Sequence, residues 1–128
     1  MTRALILAAG RGTRMKSLTS DRPKCLLELN GQTLLAHQVR NLRLAGLSDI
    51  TVVIGHGAKY FTPTDIKTHF HAGYADTNMV TSMFSVSDFF EQATEPVLVH
   101  YGDVIIEPRY LRLLVACKHD VACLMDDD

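Results

Sequence analysis

Residues 5–29 read LILAAGRGTRMKSLTSDRPKCLLEL, and this stretch decides how the chain is built. Residues 3–8 form a short β-favouring run, and Ala8-Ala9-Gly10 lets the backbone turn sharply without side-chain clash. Gly10 and Gly12 can take φ > 0 and present bare amide N–H groups to an anion. Arg11, Arg14, Lys16, Arg22 and Lys24 gather five positive charges near that loop. Small residues, bare amides and long cationic side chains together suit a triphosphate. A plain glycine turn with surface charges would leave the clustering of cations unexplained.

Two familiar phosphate loops do not fit. A P-loop needs Gly-Lys-Ser/Thr after four spacer residues, and here Thr13-Arg14 follows Gly12. The dinucleotide fingerprint needs a third glycine where Met15 stands, although Glu28 lies at a tolerable distance for the acidic partner. Read whole, Leu7-Ala8-Ala9-Gly10-Arg11-Gly12-Thr13-Arg14-Met15 followed by Pro23-Lys24 closely resembles the signature of the sugar-nucleotidyltransferase superfamily. The resemblance implies a Rossmann-like nucleotidyltransferase fold. That fold is an α/β three-layer sandwich with a mostly parallel sheet, of which this chain would be the N-terminal part.

The chain is 128 residues long and 47% hydrophobic, enough for one domain with a real core over residues 1–128. The net charge of −1 argues against a nucleic-acid or membrane surface, because the cations are local rather than global. Cys25, Cys117 and Cys123 are odd in number and lack ligand spacing, so they read as reduced thiols acting as small buried hydrophobes in the cytoplasm. Residues 4–9 are too short for a signal-peptide core, and nothing approaches a membrane span.

Along the chain, Pro23 makes residues 21–29 irregular, and Asn30-Gly31 marks a turn. Thr33 caps a helix running to Ala45, with Leu34, Leu35, Val39, Leu42 and Ala45 as its apolar stripe and Gly46 closing it. DITVVI over residues 49–54 has the apolar, β-branched character of a strand covered on both faces. Gly55-His56-Gly57 then stands where ligands collect in open α/β sheets, and serves equally as a strand-to-loop turn. His69 and His71 follow a short helix expected near Pro63 and read as a solvated surface pair, since no further ligand is spaced to join them. Residues 78–90 have helical spacing. Residues 97–101 (VLVHY) form a third apolar strand running into Gly102-Asp103, and a helix is expected over residues 109–118 with a fourth strand over 120–125.

Two further segments extend the resemblance. Residues 77–83 (TNMVTSM) look like the Asn-x-x-x-Ser stretch of phosphocholine-type cytidylyltransferases, with the match on Asn78 and Ser82. One helical turn apart, an amide and a hydroxyl could both meet a pyrimidine edge; a capping Asn with an exposed Ser explains them as well. Gly102-Asp103 matches the Gly-Asp element whose aspartate binds the catalytic metal in that superfamily. A carboxylate after a buried strand and a glycine suits Mg²⁺, while a turn-stabilising aspartate is the plainer account.

The resemblance thus implies nucleotidyl transfer, with CTP preferred and phosphocholine or a similar small phosphate or phosphonate as acceptor. Hexose-1-phosphate transfer from UTP or dTTP is the alternative. Leu7, Ala8, Ala9, Gly10, Gly12 and Thr13 would cradle the nucleotide, beside Asn78 and Ser82. Arg14 would hold the departing pyrophosphate, Lys24 would stabilise charge at the α-phosphate, and Asp103 would carry Mg²⁺. Family members run longer and supply a second metal-binding aspartate from their later half, which Asp126, Asp127 and Asp128 do not match. The chain is therefore expected to be a truncated piece, a nucleotide-binding module without turnover, or half of a dimer paired through the free edge of residues 121–125.

Overall fold

A computed structural model describes residues 2–9, 24–55, 66–71, 87–91 and 95–125. Strand β1 (Arg3–Ala8) runs through the centre, buried along almost its whole length. It pairs in parallel with β4 (Ile50–Ile54) on one side and β6 (Val97–Tyr101) on the other, while β5 (Lys67–Phe70) extends the sheet beyond β4. The order is β5-β4-β1-β6, and every pairing in that sheet is parallel among the described residues. A small antiparallel hairpin, β2 (Glu28–Leu29) with β3 (Gln32–Thr33), stands apart from it.

Alternation along the strands builds two cores. Ala4, Ile6, Ala8, Ile50, Val52, Ile54 and Leu98 face one way and meet Val39, Leu42, Leu47, Cys25 and Leu111. Those partners come from helix α1 (Leu34–Leu44) and Leu47 just beyond it, the 3-10 turn Lys24–Leu26 and helix α3 (Pro108–Ala116). Leu5, Leu7, Ala9 and Val53 face the other way and pack with Phe90 of the short helix α2 (Ser87–Glu91). Helices on both faces of a parallel sheet give the expected α/β three-layer arrangement.

Local signals set the limits of α1. The Thr33 hydroxyl accepts the Ala36 N–H at 3.1 Å, an N-cap that satisfies one orphan donor of the first turn. At the far end the Gly46 N–H donates to Arg43 and the Leu47 N–H to Leu42, a Schellman closure that needs the φ of +94° at Gly46. Asn30 and Gly31 both have positive φ, 54° and 80°, which suits the two-residue turn of the β2–β3 hairpin.

Four expectations are corrected here. The segment over residues 21–29 is not simply irregular: its described part contains the 3-10 turn and β2, because the Asn30-Gly31 turn folds the chain back on itself. Residues 120–125 form no strand; Val121 and Met125 are more than four-fifths exposed, and an extended segment without a pairing neighbour leaves its backbone to water. Conversely, residues 67–70 are a strand, and His71 beyond it is buried, its N–H donating to Ile54 O at 2.8 Å. Of the three thiols only Cys25 is a buried hydrophobe; Cys117 is half-buried and Cys123 exposed.

Candidate functional site

The carboxyl ends of β1 and β6 lie side by side, since Leu7 is in register with Tyr101. Beyond that pair the chain narrows to backbone. Gly102 is buried, and a Cβ there would stand 2.5 Å from Leu7 O and 3.2 Å from the Cα of Ala8. Only glycine admits this approach. The next residue, Asp103, is exposed in the turn that follows. Its carboxylate therefore rides on a backbone pressed against Leu7 and Ala8, where β1 leaves for the glycine-rich stretch.

Helix α1 also holds this turn. Gln38, fully buried, donates from Nε2 to Val104 O at 2.8 Å and to Tyr101 O at 3.4 Å. Asn41 donates to Ile106 O at 2.9 Å. The segment after Lys24 reaches this helix too, with the Leu34 N–H donating to Leu27 O at 2.9 Å and His37 Nε2 meeting Leu29 O at 2.7 Å. Both the Asp103 turn and the chain after Lys24 thus gather on the N-terminal half of α1.

His100 lies beneath the turn, buried to 2% exposure. Its Nδ1–H donates to Tyr101 O at 2.5 Å, since a carbonyl can only accept. Burial pushes its pKa below the usual imidazole value; the Tyr101 hydrogen bond and the Asp103 charge act in the other direction without cancelling the effect. The ring is therefore neutral, and its Nε2 has no hydrogen-bond partner among the described residues. At the other end of the strands, Asp49 takes Arg3 at 3.3 Å and Lys67 at 3.1 Å, which ties three strand starts together away from the turn.

Of the residues named from sequence, Leu7, Ala8 and Ala9 are buried at the end of β1, and Asp103 stands beside them. Lys24 opens the 3-10 turn. Gly10, Gly12, Thr13, Arg14, Asn78 and Ser82 lie outside the described residues. Sequence reading missed Gln38 and Asn41. Their signal was available: both are amides at helical spacing within the apolar face of Leu35, Val39 and Leu42. Among the described residues no group of three or more His, Cys, Asp and Glu side chains could hold a metal ion. An exposed carboxylate is nonetheless the hard oxygen donor that Mg²⁺ takes when phosphates and water complete its shell.

Residues 4–128 match the family described as MobA-like NTP transferase domain. The chain belongs to that family. Over 131 residues it is 31% identical to a CTP:phosphoglutamine cytidylyltransferase of Campylobacter jejuni, covering 96% of this chain and 52% of the relative. It is 32% identical over 90 residues to a choline-phosphate cytidylyltransferase of Streptococcus pneumoniae, covering 67% of this chain and 39% of that protein. A solved structure of a CTP:phosphocholine cytidylyltransferase from Streptococcus pneumoniae superposes with a TM-score of 0.69 at 30% identity, over 80% of this chain and 45% of the other. This NTP transferase domain thus spans about half or less of the length of these relatives. No helix among its described residues is long and apolar enough to cross a membrane.

Proposed function

We propose that the protein containing this domain is a cytidylyltransferase, moving CMP from CTP to a small phosphate or phosphonate such as phosphocholine, with release of pyrophosphate. The observation that carries the reading is the contact of Gly102 with Leu7 and Ala8, which sets Asp103 beside the start of the cationic glycine stretch. The preference for CTP rests on the cytidylyltransferases among the relatives.

In this reading the acceptor oxygen is already ionised near neutral pH, so the reaction asks for positioning and charge neutralisation rather than a base. Backbone amides of Gly10 to Thr13 cradle the β- and γ-phosphates against the end of β1. Arg14 holds the pyrophosphate as it departs, and Lys24 stabilises charge on the five-coordinate α-phosphorus. Asn78 and Ser82 meet the base. Mg²⁺ bound at Asp103 supplies neutralisation of the phosphate oxygens. A cytoplasmic address accompanies this reading, in keeping with the free thiols of Cys25, Cys117 and Cys123. Residues 121–125 form no strand, so a dimer paired through an edge strand there has no support.

Isothermal titration with CTP, UTP, dTTP and ATP in the presence of Mg²⁺ tests the binding half. CTP is expected to give the largest heat, and negligible heat for all four removes the reading. Pyrophosphate release on mixing CTP, Mg²⁺ and phosphocholine tests turnover. Its absence alongside tight CTP binding would leave a nucleotide-binding module.

A further inference from the structure

We propose that Gln38 is a positioning residue for Asp103, fixing the turn that carries the carboxylate through its hydrogen bonds from α1. The metal-related part rests on the cytidylyltransferase reading; the clamp itself does not.

Gln38 has no exposed surface and lies one turn from Leu42, on the face of α1 that enters the core. A leucine there would fill the space without desolvating an amide. The glutamine instead places its Nε2 between two carbonyls, Tyr101 O and Val104 O, which flank Gly102-Asp103 on either side. Its Oε1 is buried with no hydrogen-bond partner among the described residues. An orphaned buried acceptor is costly, so the side chain is poorly explained by stability alone.

Other contacts act on the same turn. Gly102 is pressed against the backbone of Leu7 and Ala8, and Tyr101 O also receives His100 Nδ1–H. The backbone before Asp103 is thus held by the sheet. Val104 O, after it, is held by Gln38 across from α1. Asn41 acts further on, at Ile106 O, and does not bracket the carboxylate. Without Gln38 the turn keeps its anchor at β1 but loses the hydrogen bond at its exit, on Val104 O.

The experiment compares Gln38→Met, which keeps length and removes both donors, with Gln38→Glu, which sets a carboxylate against the two carbonyls, and with Asn41→Leu. Amide hydrogen exchange over residues 102–104 and the Mg²⁺ concentration that half-saturates CTP binding are measured for each. Both Gln38 variants should speed exchange at these amides and raise the half-saturating Mg²⁺ by about tenfold, the scale of one lost hydrogen bond. CTP affinity without Mg²⁺ should not change. Asn41→Leu should lower the melting temperature but leave the Mg²⁺ requirement within about twofold of the parent, well inside what one hydrogen bond is worth. If the Gln38 variants lower the melting temperature while their Mg²⁺ requirement stays that of the parent, the residue is merely structural and the proposal fails. If the parent binds no CTP with Mg²⁺, the cytidylyltransferase reading fails, and the metal role of Gln38 falls with it. The exchange rates still judge the clamp: unchanged protection over residues 102–104 in both variants overturns it.

Discussion

The backbone of Gly102 rests on that of Leu7 so closely that a Cβ at residue 102 would lie 2.5 Å from the Leu7 carbonyl oxygen. The contact joins the end of β6 to the end of β1, and through them Asp103 to the start of the glycine-rich stretch. Because the obstacle is backbone, a side chain cannot be accommodated by a change of rotamer. Gly102→Ala is therefore expected to destabilise the domain by about 1–3 kcal/mol, the usual range for overpacking, and to weaken Mg²⁺-dependent nucleotide binding. Denaturant midpoints and CTP titrations check this. A Gly102→Ala protein as stable as the parent would show that the two strands are not pressed together.

In the proposed function Lys24 serves the α-phosphate, where charge develops during transfer rather than in the bound ground state. Lys24→Ala should thus leave CTP affinity nearly intact while kcat falls by about 10²–10³, the cost of removing one preorganised donor. Steady-state pyrophosphate release alongside direct CTP titration separates the two. Normal turnover in the variant removes the assignment.

His100 makes stability depend on pH in a definite direction. Its folded pKa lies below the ordinary 6.5 because burial disfavours the charged ring. Between those two values the unfolded chain binds more protons than the folded one, so stability rises with pH there. The contribution is fully present above about 6.5 and is lost as the pH falls through the folded pKa. Urea midpoints of the parent should drop on acidification in that range, and those of His100→Leu should drop less. Parallel profiles for the two proteins would assign the acid sensitivity elsewhere.

The three cysteines should separate under alkylation. Burial raises the Cys25 thiol to about 12, leaving almost no thiolate near neutral pH, and the same packing bars the reagent. Iodoacetamide is expected to label Cys123 first, Cys117 more slowly and Cys25 only on unfolding, as mass spectrometry of timed samples would show. Labelling of Cys25 at the rate of Cys123 in the folded protein contradicts the packing described for the 3-10 turn.

Much of this architecture was legible along the chain because its signals are local. Short apolar, β-favouring runs marked β1, β4 and β6. Thr33 and Gly46 marked the limits of α1 because capping uses only nearby backbone groups. Asp103 was legible as a candidate from its place after an apolar strand and a glycine. The short strand at residues 67–70 was not, since KTHF carries little apolar alternation and is held by pairing with β4. Residues 121–125 show the reverse case: their composition favours a strand, but among the described residues nothing pairs with them.

By itself the sequence determined the central parallel strands, the bounds of α1 and membership in a nucleotidyltransferase family, because each rests on residues close together in the chain. Only the tertiary structure decided that Gln38 turns inward to hold carbonyls more than sixty residues away, that His100 is buried and neutral, and that Gly102 must lack a side chain. A buried polar group is tolerated or not according to the partner that folding brings to it, and those partners have no fixed distance along the chain.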